Sequence, residues 1–256
     1  MITNAVRRSK ETLAKRLSPK AKSRLRSILY SLNVISLRGA ENLIFESIKL
    51  DGSKSFIQIG VNDGQYADPM NLAIRRFGLK GALVEPQPAF LNAARKTYEG
   101  TEDLEFINCA ISDTEGAFSF FVVDMSDGNL PTWVQGVGSL SRDKLLKLDY
   151  RIPDIEQHIR EIRVACINVN TLLKSTKITS PDLLIVDAEG YDAVILKQFD
   201  LEVVRPNLIL FEAESMSQSD LVDCLGRMKS NGYIVKSIGQ DSVALKADSN
   251  LGRKFS

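Results

Sequence analysis

The stretch FIQIGVNDGQYADP, residues 56–69, decides the fold class of this chain. A short apolar run ends at Ile59 and leads into a loop with Gly60 and Gly64, after which apolar residues recur at helical spacing up to Phe77. This order predicts a strand, a tight loop and a helix. The loop lacks the lysine and spacing of a P-loop, which argues against a nucleoside triphosphate. It also lacks G-x-G-x-x-G, which weakens the case for NAD.

The alternation of strand and helix continues along the chain. Apolar runs of strand length recur, and amphipathic patterns separate several of them. The predicted strands after the first are residues 82–84, 104–111, 183–186, 208–211, 233–238 and 243–246. This pattern predicts an α/β fold in which a mostly parallel sheet carries helices on both faces. The last two strands, separated by a short glycine-containing turn, predict an antiparallel closing pair.

Residues 117–170 interrupt the alternation. Residues 118–122 and 162–169 have the composition of extra strands, and the Gly- and Ser-rich stretch between them contains the single tryptophan, Trp133. Long connections in compact domains are usually functional, so we interpret this segment as an insertion over the carboxyl edge of the sheet. The predicted organisation is one enzyme domain, residues 41–256, with an insertion at about 117–170, preceded by an extension of residues 1–40.

Composition places the chain in a reducing compartment. With 44% hydrophobic residues among 256, it can bury a sizeable core. Its three cysteines are widely spaced, which indicates neither a disulfide framework nor a C-x-x-C zinc site. No apolar run reaches the roughly 18 residues of a membrane span, and the N-terminus has no apolar segment of the secretory kind. We therefore expect a cytoplasmic protein.

The N-terminal extension is strongly basic. Residues 1–40 contain ten Lys or Arg and one Glu, a net charge of +9, whereas the other 216 residues carry 23 basic and 31 acidic side chains. An apolar stripe that includes Ile28, Leu32 and Ile35 predicts that the extension contains a helix. Such an arm suits an anionic partner, of which an anionic membrane surface is one candidate and nucleic acid or an acidic glycan are others. A helix whose apolar stripe packs on the catalytic domain, a solvated helical leader and an organellar transit peptide are the alternatives, and packing is the more usual role of an apolar stripe.

The predicted strand ends indicate a ligand site. Open α/β sheets bind ligands beyond the carboxyl ends of their strands, where the strand order reverses. Gly60 ends the first strand, and Asn62 is a residue type that tolerates positive φ. Glu85 ends the second strand, 21 residues after Gly64, where a carboxylate can accept hydrogen bonds from both ribose hydroxyls. These features together suggest an adenosine-containing ligand, although a glycine turn and a surface glutamate also occur together by chance.

Seven short motifs carry a family resemblance. In chain order they are IGVNDG, VEP, CAISDTEG, GSLSRD, INVNTLL, LLIVDAEGYD and LILFEAE. Over roughly residues 54–246 the chain resembles the FkbM family of S-adenosylmethionine-dependent methyltransferases. The resemblance implies a Rossmann-like class I methyltransferase fold with a seven-stranded sheet. It also implies S-adenosylmethionine as cofactor and methyl transfer to a hydroxyl oxygen of a sugar, lipid or secondary metabolite.

The resemblance also implies which residues bind the cofactor. They are Gln58, Gly60, Asn62, Asp63, Gly64, Glu85, Ala110, Ile111, Ser112 and Asp113. The glycine loop would cradle the methionine part, Glu85 would hold the ribose, and residues 110–113 would border the adenine. One position departs from the pattern, because many such enzymes have an acidic residue where this chain has Gln58. A glutamine accepts a hydrogen bond from the cofactor's ammonium without supplying charge, and Asp63 is the candidate to compensate.

The predicted catalytic residues follow the fourth strand. A hydroxyl oxygen becomes a better nucleophile as its proton is removed, so a carboxylate beside the cofactor suits the reaction. We assign Asp187 as base or substrate-orienting residue, with Glu189 second. Alternatively, Asp187 caps the next helix or pairs with a basic side chain. Asp187, Glu189, Glu212 and Glu214 would also suit a divalent cation, but we predict no metal because a metal site requires converging geometry.

Two other functions remain open. The basic extension would suit an RNA methyltransferase, but such enzymes commonly have an Asn/Asp-Pro-Pro-aromatic motif where this chain has Asp187-Ala188-Glu189-Gly190. We therefore expect a small-molecule or glycan acceptor and not a nucleic acid. A non-catalytic scaffold that binds S-adenosylmethionine is the third hypothesis.

Overall fold

The computed structural model describes residues 39–126 and 130–256. Predictions about residues 1–38, which include the stripe of the basic extension, lie outside these ranges. The strands are β1 (Ser55–Ile59), β2 (Lys80–Val84), β3 (Leu104–Ile107), β4 (Ala110–Ile111), β5 (Gly116–Val123), β6 (Gly138–Ser139), β7 (Ile159–Ile167), β8 (Leu183–Val186), β9 (Leu208–Glu212), β10 (Tyr233–Ile238) and β11 (Asp241–Lys246). The α-helices are α1 (Gly39–Asp51), α2 (Asn71–Phe77), α3 (Pro88–Thr97), α4 (Arg142–Leu146), α5 (Ile155–His158), α6 (Val169–Ser175), α7 (Asp192–Gln198) and α8 (Gln218–Ser230).

Seven strands form the main sheet, in the order β10-β11-β9-β8-β1-β2-β3. Strands β3, β2, β1, β8 and β9 run parallel, and β11 and β10 close the sheet in antiparallel orientation. This confirms the predicted α/β class, the seven strands and the closing pair. The chain builds outward from β1 to β3 and then returns to the other side of β1 with β8. The strand order therefore reverses between β1 and β8, which is where ligands bind in such sheets.

Both faces of the main sheet are covered by apolar side chains. Ile57, Leu184 and Phe211 belong to the cluster that packs with α6, α7 and α8. Phe56 and Ile185 belong to the cluster on the opposite face, with residues of α1, α2 and α3. Strands buried on two faces have nearly continuous apolar sequences, and burial of both faces holds the carboxyl ends of β1 and β8 in fixed register.

A second sheet, in the order β4-β7-β5-β6, lies in the segment predicted as an insertion. The two predicted extra strands are present as β5 and β7, which pair antiparallel along eight residues. Short helices α4 and α5 pack beside it around Val134, Leu145 and Ile152. The assignment of residues 41–256 as one domain stays a prediction.

The prediction of one continuous strand over residues 104–111 was wrong. Strand β3 ends at Ile107, and Ala110–Ile111 form β4 and pair with β7 of the second sheet. Between them, the Asn108 side-chain amide donates to the carbonyl oxygens of Glu85 at 2.8 Å and Pro86 at 3.0 Å. This contact fixes the chain where it leaves the main sheet. The single apolar run therefore contributes one strand to each of two sheets.

The predicted start of the last strand was also wrong. Strand β11 begins at Asp241, two residues earlier than predicted, because only Gly239 and Gln240 separate the paired ends of β10 and β11. Gly239 has a φ of +65°, as short hairpin turns require. The consequence is that Asp241 pairs in register with Glu212 at the carboxyl edge of β9.

No helix within residues 39–126 and 130–256 is long and apolar enough to cross a bilayer.

Candidate active site

The loop after β1 is held against both neighbouring strands. The Gly60 N–H donates to the Val84 carbonyl at 2.9 Å, and the Asp187 N–H donates to the Ile59 carbonyl at 2.9 Å. Gly60 has a φ of +84°, and a Cβ at this position would lie 1.8 Å from the Asp187 carbonyl oxygen. Glycine is therefore required here both by the backbone conformation and by the close approach of the chain after β8.

Two cavities meet at this loop. The inner cavity is lined by Glu85, Ala110 and Ile111, among others. The outer cavity, of about 750 Å³, is lined by side chains that include Gln58 and Trp133. Both cavities share four lining residues, Gly60, Asn62, Asp187 and Glu189. The structure therefore brings most of the predicted cofactor residues and both predicted catalytic residues to two adjoining cavities.

Glu85 is a buried carboxylate at the end of β2. One oxygen accepts from the Asn62 N–H at 2.9 Å, and the other accepts from the Gln87 N–H at 3.0 Å. Its side chain is 4% exposed. Burial raises the pKa of Glu85 to about 7, and the two backbone hydrogen bonds act in the opposite direction. Asn62 has a φ of +51°, which directs its N–H to this carboxylate.

The segment after β8 concentrates carboxylates. Solvent reaches Asp187 through the outer cavity, although protein atoms enclose it on its other sides. This enclosure, followed by the charges of Glu212 and Asp241, raises the pKa of Asp187 above its usual range. Burial and then the charge of Asp187 raise the pKa of Glu189. Glu189 also has a φ of +48°, an unusual conformation for a non-glycine residue, and such conformations cluster at functional sites.

The structure does not support a capping or ion-pairing role for Asp187. Helix α7 begins at Asp192, and Tyr191 occupies its N-cap position. Asp187 takes part in none of the ion pairs formed among the described residues. The fully buried Asp192 side chain instead accepts from the N–H groups of Ala188 and Glu212, both at 3.3 Å, and thereby holds the chain after β8 against β9. Asp187 is thus available to a ligand.

Gln58 lies beside an aspartate that sequence reasoning missed. The Gln58 amide nitrogen donates to Asp68 Oδ1 at 3.1 Å, and both side chains line the outer cavity. Asp63, which was predicted to compensate for the missing charge, instead accepts from the N–H groups of Gln65 and Tyr66 in a local turn, both at 2.8 Å. The structure therefore brings Asp68, and not Asp63, to Gln58.

Three further predicted cofactor residues do not line either cavity. Gly64 packs against the ring of Tyr98, where a Cβ would lie 2.6 Å from a ring carbon. The Ser112 hydroxyl donates to Asp113 Oδ1 at 3.3 Å, and Asp113 is exposed. Only the first half of residues 110–113, Ala110 and Ile111, reaches the inner cavity.

Residues 132–140, which we call the strap, run between the two cavities. Gly136, Gly138 and Leu140 line the inner cavity, whereas Trp133, Gln135 and Val137 line the outer one. Three hydrogen bonds attach the strap to the main sheet. They run from Asn62 Nδ2 to the Gln135 carbonyl at 3.0 Å, from Gln87 Nε2 to the Gly136 carbonyl at 2.6 Å, and from Ser139 Oγ to the Glu189 carbonyl at 3.0 Å. The motif GSLSRD overlaps the strap at residues 138–140, and the single tryptophan lies in it, but neither feature assigned a residue of the strap to the site.

Metal binding was considered for the acidic edge. In the part of the chain that the structure describes, no group of three or more His, Cys, Asp or Glu side chains is arranged to hold a metal ion.

Comparison with known families assigns the chain. The model of the methyltransferase FkbM domain matches residues 58–235, which is more than half of the sequence. The chain belongs to the FkbM methyltransferase family. It is an S-adenosylmethionine-dependent methyltransferase, and its site fits that cofactor. Gly60 leaves room for close backbone approach, Glu85 offers a buried carboxylate, and the buried Gln58 Oε1 has no hydrogen-bond partner in the described part of the chain.

Several solved methyltransferase structures are similar to this FkbM methyltransferase. The FkbM methyltransferase from Methylobacillus flagellatus KT is 13% identical, with a TM-score of 0.49, and the match covers 92% of this chain and 57% of that one. The S-adenosylhomocysteine-bound methyltransferase PaMTH1 from Podospora anserina is 13% identical, with a TM-score of 0.45 and 96% of each chain covered. The Bacillus cereus O-methyltransferase in complex with S-adenosylhomocysteine is 11% identical, with a TM-score of 0.40 and coverage of 92% and 96%. Among curated proteins, none matches.

Proposed function

We propose that this FkbM methyltransferase transfers a methyl group to a hydroxyl oxygen of a small-molecule or glycan acceptor, such as a sugar, lipid or secondary metabolite. The observation that carries the proposal is the position of Asp187. Its carboxylate borders both cavities beside Gly60, forms no ion pair with the described residues and has a raised pKa. A carboxylate in this state suits removal of a hydroxyl proton.

The proposed cofactor-binding residues divide between the two cavities. Glu85 accepts hydrogen bonds from the ribose hydroxyls, and Ala110 and Ile111 border the adenine in the inner cavity. Gly60 and Asn62 lie under the methionine part, where the two cavities meet. When bound, S-adenosylmethionine supplies an electrophilic methyl group on its sulfonium.

The proposed catalytic step depends on proton removal by the chain. Asp187 accepts the proton of the acceptor hydroxyl while the oxygen becomes a nucleophile. The raised pKa strengthens Asp187 as a base relative to an ordinary carboxylate. Glu189 lies next to it on the strained turn and orients the acceptor by hydrogen bonding. In-line approach of oxygen and methyl group requires this fixed placement.

The charge of the outer cavity supports an acceptor without anionic groups. Its described lining includes the carboxylates of Glu41, Asp68, Asp187, Glu189 and Asp241, and no Lys or Arg. Those carboxylates that are ionised would repel phosphate groups, and no cationic side chain of this lining would offset the repulsion. The same charge disfavours RNA in the active site, whatever the basic extension contacts.

We propose that residues 1–40 contact an anionic membrane surface, so that a cytoplasmic enzyme acts close to its acceptors. The support is the net charge of +9 in the extension. Sedimentation with anionic and neutral vesicles tests this. Binding should be confined to anionic vesicles, weaken in high salt and disappear on deletion of residues 1–26, which removes nine of the ten basic residues. Unchanged binding after this deletion would contradict an electrostatic anchor.

The central experiment identifies the acceptor. Purified enzyme and S-adenosylmethionine with a tritiated methyl group are added to cell-extract fractions of glycans, lipids, small molecules and RNA. We expect label in a fraction of hydroxylated molecules and none with the Asp187→Asn variant. Label confined to RNA would favour the nucleic-acid reading. Cofactor binding without label in any fraction would favour the non-catalytic scaffold.

A further inference from the structure

Asp68 is held as a hydrogen-bond acceptor in a buried position beside the outer cavity. Gln58 Nε2 and the Met70 N–H both donate to Asp68 Oδ1, at 3.1 Å and 2.8 Å. The Tyr98 hydroxyl donates to Asp68 Oδ2. Gln58 is 2% exposed, Asp68 7% and Tyr98 2%. Three donors from three parts of the chain therefore converge on one carboxylate and fix its position. Burial raises the pKa of Asp68, and these three hydrogen bonds act in the opposite direction by favouring the ionised form.

This arrangement also fixes the orientation of the Gln58 amide. With one Nε2 hydrogen donated to Asp68, the amide keeps a second N–H donor and its oxygen, and the oxygen is its only acceptor. That oxygen, Gln58 Oε1, is buried and has no hydrogen-bond partner in the described part of the chain, and Gln58 lines the outer cavity. The reverse orientation would place Oε1 against the Asp68 carboxylate, which is unfavourable because both groups are acceptors. Among the described residues, this buried acceptor therefore lacks a donor, in a side chain that borders the outer cavity.

The cofactor has one group that suits this acceptor. A sulfonium has no N–H or O–H, and the proposed binding mode assigns the ribose hydroxyls to Glu85 and the adenine amino group to the inner cavity beside Ala110 and Ile111. The α-ammonium group, with its N–H donors and positive charge, is the remaining candidate. Hydrogen bonds between charged partners are the stronger kind, and a charge behind the glutamine strengthens its amide oxygen as an acceptor.

We propose that Asp68, held by Tyr98, orients and polarises Gln58 so that the pair binds the α-ammonium group of the cofactor, with Asp68 supplying the charge that glutamine lacks. The inference rests on S-adenosylmethionine as the cofactor. Asp68 acts through Gln58 and is therefore a positioning residue. The negative charge found two residues before the first glycine in many related enzymes is here ten residues further along the chain.

Two ligands separate this role from a general structural one. S-adenosylhomocysteine has the amino-acid end, whereas 5′-deoxy-5′-methylthioadenosine keeps the adenosine and thioether but lacks it. Binding of both to the whole protein is measured by calorimetry. For Asp68→Asn we expect the affinity for S-adenosylhomocysteine to fall about tenfold or more, and that for methylthioadenosine to stay within about twofold. Asp149→Asn, the same change at an exposed aspartate that lines neither the inner nor the outer cavity, should alter neither.

Exchanging the amide and the carboxylate between positions 58 and 68 should restore binding of S-adenosylhomocysteine. In the double variant Gln58→Glu with Asp68→Asn, the carboxylate and the amide trade places, and affinity for S-adenosylhomocysteine should return to within about threefold of the unmodified protein. If Asp68→Asn does not fold, the double variant and Tyr98→Phe give the same two-ligand comparison. Equal losses for both ligands, unchanged binding of S-adenosylhomocysteine, or no recovery in the double variant would each overturn the inference and leave the cofactor assignment intact. If the unmodified protein binds neither ligand, the cofactor assignment fails as well.

Discussion

Different interactions hold the two sides of the active site, which we call its floor and its cover. The floor consists of the carboxyl ends of β1, β2, β8 and β9, and the cover consists of the second sheet with its strap. In the floor, backbone hydrogen bonds in parallel register fix Gly60 and Asp187 relative to each other. The cover meets the floor through side-chain hydrogen bonds to the carbonyls of Gln135, Gly136 and Glu189.

This difference separates two tasks. A floor fixed by the register of a buried sheet holds reacting groups at constant positions, as catalysis requires. Strands β4 and β7 of the cover pack in the same apolar cluster as the floor, through Ile111 and Ile167. The strap, attached by a few hydrogen bonds that each contribute about 0.5–1.5 kcal/mol, opens at a much smaller cost in free energy than a sheet. We therefore expect changes in the floor to alter stability and turnover strongly, and changes in the cover to alter ligand retention more weakly.

The largest expected effect is that of Gly60→Ala. The new Cβ would lie 1.8 Å from the Asp187 carbonyl, on a backbone with a φ of +84°. We expect a loss of more than about 3 kcal/mol of stability, equivalent to about 6–12 °C in Tm. The matched control is Gly78→Ala, which has a φ of +59° and no atom within 4 Å of the added Cβ. It should cost only about 1–2 kcal/mol. Equal melting temperatures for the two variants would show that the floor is not close-packed at Gly60.

The next effect concerns catalysis at the floor. Asp187→Asn removes the proposed base but keeps the size of the side chain. Turnover should fall about 10²-fold or more, while the affinity for S-adenosylhomocysteine changes little. Glu214→Gln is the control, since Glu214 is an exposed carboxylate near the same edge that lines neither the inner nor the outer cavity. Full methyl transfer by Asp187→Asn would remove Asp187 from the mechanism.

The floor could largely be predicted from the sequence because its rules are local. Where an apolar run ends, the next polar residue or glycine lies at the carboxyl edge of the sheet. This pattern identified Gly60, Glu85 and Asp187. The start of β11 required one more fact, that Gly239 and Gln240 alone complete the turn, and without it Asp241 was missed.

The contacts between cover and floor, and the residues behind Gln58, could not be predicted in this way, although two strands of the cover were. Asp68 and Tyr98 are 30 residues apart and meet only because a loop and a helix pack together on one face of the sheet. The run at residues 104–111 is continuous in hydrophobicity, and hydrophobicity does not specify which sheet a strand joins. Two of the three hydrogen bonds that attach the strap are accepted by its backbone carbonyls, which every residue type has, so no pattern of side chains marks these two contacts.

A pH dependence is expected from Glu85. Its pKa of about 7 in the folded protein exceeds the ordinary value of 4.5, so the native state holds a proton that the unfolded state has lost. The contribution of Glu85 to the stability of the ligand-free protein should therefore decline between pH 4.5 and 7. Ribose hydroxyls donate best to the ionised form, so affinity for S-adenosylhomocysteine should rise about tenfold or more through the same window.

The Glu85→Gln variant isolates this residue. It should bind S-adenosylhomocysteine more weakly at pH 8 by about 1–3 kcal/mol. Its affinity should also vary less between pH 5.5 and 8 than that of the unmodified protein. Calorimetry at several pH values and melting curves without ligand measure the two trends separately. Identical pH profiles for variant and parent would assign the titration to another group, such as Asp187.

The smallest expected effect tests the cover. Gln87→Met keeps the length of the side chain but removes the hydrogen bond from Nε2 to the Gly136 carbonyl. One such bond contributes about 1 kcal/mol, so S-adenosylhomocysteine should dissociate about fivefold faster while Tm changes little. Stopped-flow displacement measures the rate. The control is Gln157→Met, because Gln157 is an exposed residue of α5 that lines neither the inner nor the outer cavity. This variant should release the ligand at the rate of the unmodified protein. If Gln87→Met instead lowered Tm as much as Gly60→Ala, the strap would belong to the rigid floor, and the division between the two regions would fail.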